Sequence, residues 1–184
     1  MTQPMQPIIL TASGLQFNLL EPDPNLIEIE DIAHALSHLC RFTGHTRKFY
    51  SVAEHSLHVA CLVPPELQLE ALLHDAAEAY IGDVSSPLKA QLHEYRNIEF
   101  ALDQAIRKRF GLPPKQSPAV KHADLVMLST ELRDLMPGES HHWAILQGIE
   151  PRWQRINKPL QSTFASSIFL GAFNNLQNPE GNLS

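Results

Sequence analysis

His74 and Asp75 stand side by side in Glu66–Tyr80, a stretch otherwise rich in Leu and Ala. An apolar segment is a costly place for either residue, because a buried charge is strongly destabilising unless it is paired or bound to a metal. Glu78 follows His74 by four residues, which is one turn along the same helix face. Asp83 comes just after Gly82. A second apolar segment carries Glu54-His55 within Val52–Ala60, and a third carries Asp124 within Lys121–Met127. A lone His-Asp pair occurs by chance in many chains. Three apolar segments interrupted by ligand-type side chains break the local pattern as functional sites do. Two imidazoles and two carboxylates form a mixed nitrogen and oxygen set suited to a divalent transition metal or Mg²⁺.

The elements that must position these groups read as helices. Glu28–Arg41 repeats Ile32, Ala35, Leu36 and Leu39 on one face. Val52–Val63 repeats Val52, Leu57, Val59 and Leu62, and Pro64-Pro65 stops it. Glu66–Tyr80 is apolar almost all round, the pattern of a central buried helix, and Gly82 can close it with a left-handed cap. Asp83–Leu88 reads as a loop. Glu94–Phe110 is helical with Gly111 as its stop, and Val120–Met136 is helical up to Pro137-Gly138. Glu139–Pro159 reads as irregular, with at most one short helix around Trp143, and Thr163–Leu176 as the last helix. The polar tail from Gln177, residues 177–184, is expected to fray. At the other end, the first 25 residues read as an extension in which the apolar runs on either side of Ser13-Gly14 predict a short β-hairpin. The expected fold is all-α, one domain over residues 1–184, with that hairpin as its β element.

Composition sets limits on partners. With 184 residues the chain is long enough for a substantial core. Hydrophobic residues at 43% and charged residues at 18% exclude a disordered chain. A formal charge of −6 argues against general nucleic-acid or anionic-membrane binding. No apolar run approaches a membrane span, and no basic-then-apolar leader opens the sequence. Cys40 and Cys61 read as buried free thiols of a reducing cytoplasm. Ten histidines in an acidic chain point to metal or proton chemistry.

His55, then His74-Asp75, then Asp124 resembles the H…HD…D signature of the HD-domain metal-dependent phosphohydrolases. Taken with Ala53–Ser56, Leu73–Ala76, Glu78, Gly82-Asp83, Pro87–Lys89 and Lys121–Asp124, the chain resembles the branch of bacterial 5′-deoxynucleotidases and small phage dATP triphosphohydrolases. The likeness runs from about Asp31 to Asp134, and nothing from Pro137 onward contributes to it. It implies an HD-domain helical bundle holding one divalent ion (Co, Mn, Zn or Mg) on His55, His74, Asp75 and Asp124. It implies Glu78 and Asp83 as catalytic carboxylates, with the choice of base open between them. It implies Arg41 as a phosphate-binding fork and Phe42 as packing on sugar or base, one register step from the family's spacing. Lys89 resembles the lysine after the Gly-Asp loop, Lys121 is placed to reach a metal-bound phosphate, and Pro87 resembles a residue lining the base pocket.

The function so implied is hydrolysis of deoxynucleotides, either monophosphate to nucleoside or triphosphate to nucleoside and tripolyphosphate. The implied setting is cytoplasmic (the host's, if phage-encoded), without membrane or stable nucleic-acid partner. A homo-oligomer is expected, with Glu94–Phe110 and Thr163–Leu176 as candidate contacts. Two rivals remain: a helical binding module around a structural metal, and an HD phosphodiesterase for cyclic nucleotides or guanosine tetraphosphate. The latter needs a second metal cluster, for which His34 and His38, four apart, are the candidate. The other expectations are plainer. His45 is a neighbour of the site, and His58, His93, His141 and His142 are surface or capping residues. His122 is second to Asp124 or exposed, Arg107-Lys108-Arg109 is a solvated cluster favoured by the helix dipole, and Trp143 and Trp153 are core or interface anchors.

Overall fold

The structure is a computed structural model that describes residues 6–138 and 143–178. The expected hairpin forms. β1 (Ile8–Leu10) pairs antiparallel with β2 (Gln16–Asn18), Ile9 opposite Phe17. Gly14 turns the chain at φ 86, a conformation open to glycine because it lacks a Cβ. Buried Asp31 accepts from the Ser13 backbone N–H at 2.7 Å and from its hydroxyl at 2.8 Å, which ties the hairpin to the first helix. Phe17 is fully buried, its ring 4.4 Å from that of Tyr80.

The rest is helical: α1 (Ile29–His38), α2 (Val52–Ala60), α3 (Gln68–Leu72), α4 (Glu78–Ile81), α5 (Ser86–Lys89), α6 (His93–Phe110), α7 (Pro118–Leu135) and α8 (Ser162–Gln177), with short 3₁₀ turns between several of them. α1 packs on α4 and α8, and α2 packs on α3, α7 and α8. Ala165, Phe169 and Phe173, four residues apart on α8, enter a core with Ile32, Leu36, Leu72 and Met127. Full burial of such side chains contributes about 1.5–3 kcal/mol each. The expected stop acts at α6, which ends on left-handed Gly111 (φ 67), while α7 begins before the expected Val120, with Pro118 in its first turn. No helix among the described residues is long and apolar enough to cross a membrane.

The structure departs from the sequence reading in several places. The expected helix over Glu66–Tyr80 is two short helices, α3 and α4, joined by tight turns through residues 73–77. Leu73 leaves helical geometry (φ −101, ψ 8), and the next N–H groups bond three residues back instead of four, Ala76 to Leu73 and Glu78 to Asp75. In a regular helix neighbours point about 100° apart. The turns instead bring the His74 and Asp75 side chains to one side. Gly82 ends α4 at φ 80 and ψ 161, an extended conformation particular to glycine, not a left-handed cap. Asp83–Leu88 contains the start of helix α5. α1 stops at His38, so Arg41 stands in a separate 3₁₀ turn, Arg41–Gly44.

Single residues differ too. Cys40 and Cys61 are free, but Cys61 is exposed. Arg107 is buried, clamped by Asp103 and Glu70, and does not belong to a solvated cluster. Trp153 is 85% exposed and packs in no core. His58 is half-buried against Tyr50, and its ring faces Glu54. The turn expected near Trp143 is a 3₁₀ turn at Ala144–Leu146. Gln177 still belongs to α8, while His141, His142 and residues 179–184 lie outside the described residues.

Candidate metal centre

Four elements converge on one point. α2 starts at Ser51, whose hydroxyl accepts the Glu54 N–H at 3.1 Å, so His55 enters the first turn in a defined orientation. Glu54 contributes from the other side by accepting the Leu160 N–H at 2.8 Å. Backbone bonds from Arg41 to Tyr50 and from Val52 to Leu39 lay the Arg41 turn against the start of α2. The turn between α3 and α4 supplies His74 and Asp75. α7 supplies Asp124 and, seven residues on and on the same face, Glu131.

The two imidazoles are oriented through their Nδ1 atoms. His55 Nδ1 lies 2.6 Å from Glu131 Oε1, and His74 Nδ1 lies 2.8 Å from the Ala71 carbonyl. A carbonyl and an ionised carboxylate only accept, so each Nδ1 donates, and each Nε2 of a neutral ring is a bare acceptor. Those Nε2 atoms face each other at 3.3 Å. Asp124 Oδ1 is 3.3 Å from His55 Nε2 and 4.0 Å from His74 Nε2, and Asp75 Oδ2 is 3.6 Å and 3.2 Å from the same atoms. Acceptors gather this closely only with positive charge between them, a proton on His55 Nε2 or a bound cation in its place. Ligands about 2.1 Å from a shared ion stand about 3.0–3.4 Å apart, close to these spacings. His55, His74 and Asp124 offer atoms all within 4.8 Å of one another and could hold a metal ion. Asp75 lies beside both imidazoles at the edge of that group.

The electrostatics divide the carboxylates in two. Burial pushes Asp75 and Asp124 upward, but the adjacent imidazoles outweigh it and hold both well below the usual carboxylate range. Glu131 is likewise raised by burial, yet Arg41 and His55 bring it down to about 2. Burial and Arg41 favour neutral His55, but Glu131 and Asp124 prevail and raise it to about 9, a measure of how strongly the carboxylates draw positive charge to Nε2. Glu78 behaves oppositely. Burial, then the charges of Asp75 and Asp83, push it well above its ordinary value, with Arg41 and Lys89 only partly offsetting them. Its Oε2 is buried with no hydrogen-bond partner. Burial also raises Asp83.

A cleft of about 220 Å³ opens on this cluster and brings together Arg41, Phe42, Asp75, Glu78, Asp83, Pro87, Lys89, Lys121 and Asp124. Each cation already has an anionic partner: Arg41 with Glu131 at 3.1 Å, Lys121 with Asp124 at 2.8 Å, and Lys89 with Glu99. Phe42 and Thr43 both adopt φ 54, a left-handed conformation that is strained for a β-branched residue, at the cleft's edge. His45 is exposed and does not line the cleft. His34 and His38 are exposed and stack on each other, and among the described residues they join no cluster of three ligands. Sequence reasoning missed Glu131, whose signal was its seven-residue spacing from Asp124. It also missed Glu99, and it read Trp143 as a core or interface anchor, whereas the structure has it 44% exposed and lining the cleft.

Two proteins compare closely with the chain. Uncharacterized protein YfdR of Escherichia coli (strain K12) is 45% identical over 169 residues, covering 91% of this chain and 94% of that one. Uncharacterized protein RCAP_rcc00048 of Rhodobacter capsulatus is 42% identical over 121 residues, covering 60% of this chain and 62% of that one. No family model matches the chain.

Proposed function

The chain belongs to the family of the Escherichia coli protein YfdR, and from the site it carries we propose that it is a metal-dependent phosphohydrolase of the HD type acting on nucleotides. The observation that carries this reading is the facing pair of Nε2 atoms, His55 and His74 at 3.3 Å, flanked by two strongly ionised aspartates. A divalent ion on His55, His74, Asp124 and the adjoining Asp75 would acidify a water and polarise a phosphoryl oxygen. Glu131 and the Ala71 carbonyl fix the two rings so that their Nε2 atoms point inward. Glu78, kept proton-holding by burial and by its acidic neighbours, suits a group that exchanges a proton with water or a leaving oxygen. Arg41, Lys89 and Lys121 supply positive charge along the path a phosphate would take.

The charge of the cleft favours a phosphate monoester over a triphosphate. Three cations face four carboxylates, of which Glu78 is the one held protonated, and every cation is already paired. One divalent ion added to that set leaves room for a dianion rather than a tetraanion. Deoxynucleoside monophosphates are therefore the proposed substrates, the deoxy sugar resting on the resemblance alone. A purely structural metal would give no role to the unpartnered, buried Glu78 Oε2.

The test is metal content and a product assay on one preparation. Protein stripped by chelator and resupplied with Mn²⁺, Co²⁺, Zn²⁺ or Mg²⁺ is incubated with all four dNMPs and dNTPs. Nucleoside plus orthophosphate from the monophosphates is expected, and chelation should abolish it. Absence of turnover with every metal would overturn the reading.

A further inference from the structure

The cleft is lined by charged and by apolar side chains. Arg41, Lys89 and Lys121 line it together with Leu125 and Leu128 of α7, Trp143 and Ile145. Trp143 and Ile145 leave 44% and 58% of their surface to solvent, although large apolar side chains gain most when covered. They are held in place through the segment after them. Leu146 N–H bonds the Trp143 carbonyl at 2.9 Å, Ile149 N–H bonds the Leu146 carbonyl at 2.9 Å, and the Ile149 carbonyl accepts from Ser129 of α7. Among the described residues no ring stacks on the indole. The other aromatic of the cleft, Phe42, has one face taken by the Arg41 guanidinium at 5.6 Å. Among the described residues, Trp143 is thus the aromatic of the cleft with neither a ring nor a cation over its face.

Building on the phosphohydrolase reading, we propose that Trp143 is the specificity-determining platform of the site: the aromatic base of the substrate stacks on its indole while the phosphate lies at the cations Arg41, Lys89 and Lys121. The platform distinguishes nucleotides from other phosphate monoesters. Stacking accepts any base face, so it selects for a base without selecting strongly among bases.

The chain has two tryptophans, and Trp153 does not line the cleft, so Trp153→Phe leaves Trp143 as the sole indole emitter. That variant, loaded with Mg²⁺, is titrated with dAMP and separately with deoxyribose 5-phosphate, which has the same sugar and phosphate but no base. Saturable quenching by dAMP and none by deoxyribose 5-phosphate is expected. In turnover, Trp143→Ala should raise KM for dAMP about 10-fold, leave KM for deoxyribose 5-phosphate unchanged, and be rescued by Trp143→Phe. Unchanged fluorescence with dAMP, or an equal KM shift for both substrates, overturns the platform even where hydrolysis persists. Base-dependent quenching without turnover of any phosphate supports the platform and removes the hydrolase reading.

Discussion

Two of the protein's buried charge clusters are built on different principles. At one end of α6, Arg107 donates through Nε to both Asp103 oxygens (3.0 and 2.8 Å) and through Nη1 to Glu70 (3.3 Å) and the Pro113 carbonyl (2.7 Å). Glu70 in turn accepts from the Ser117 N–H and hydroxyl, at 2.7 and 2.5 Å. Both side chains are almost wholly buried, and every charged oxygen of Glu70 is engaged. The cluster between α2, α7 and the turn after α3 does not close on itself. Its imidazole Nε2 atoms face each other, and Arg41 Nε and Glu78 Oε2 are buried without partners. A buried network satisfied from within holds helices together; one left with acceptors converging on a point is built to receive something.

That contrast breaks first at Asp124. Asp124→Ala should remove metal and activity together, the latter by at least about 1,000-fold, since several kcal/mol of transition-state charge stabilisation depend on the ion. Full metal content in the purified variant would return Asp124 to the class of structural acids. Glu78→Gln comes next, with metal and melting temperature retained and kcat lower by about 100-fold, the usual scale of a proton-transfer group. Unchanged kcat would leave its orphaned oxygen without a role. Glu131→Gln should be milder, weakening metal affinity by about 10- to 100-fold through the loss of a charged partner at His55 Nδ1. Equilibrium competition with a chelator reads it directly, and wild-type affinity would show that the ring is oriented without that charge.

What was legible from sequence follows the same division. His55, His74, Asp75 and Asp124 stand out because each violates an apolar pattern, and the structure gathers all four side chains. The long helices α6 and α8 carry apolar periodicity, and α6 ends on the familiar stop Gly111. The split between α3 and α4 was hidden because Leu and Ala support a helix across residues 66–80, and only the tertiary demand to aim two adjacent side chains one way opens the turn. Arg107 looked like a helix-end cation because its partners Glu70 and Pro113 are distant in sequence or outside the helix. Trp143 was read as a core or interface anchor for the converse reason: an isolated indole in an irregular segment carries no local sign that it lines a cleft.

The smallest effect on activity should come from the closed cluster, and it makes the sharpest contrast. Arg107→Met keeps the length and the apolar stem but leaves Glu70 and Asp103 without their cation. Breaking a buried pair from one side costs about 3–5 kcal/mol. Ser117 still donates twice to Glu70, so the lower end of that range is expected. In a domain of this size about 3 kcal/mol corresponds to a fall of roughly 6–12 °C in Tm. Below the new transition, metal content and kcat should match wild type, because Arg107 bonds to none of the atoms that converge on the imidazoles. A variant that melts normally yet loses metal would show that the two clusters are one network, and that the open site borrows its order from the closed one.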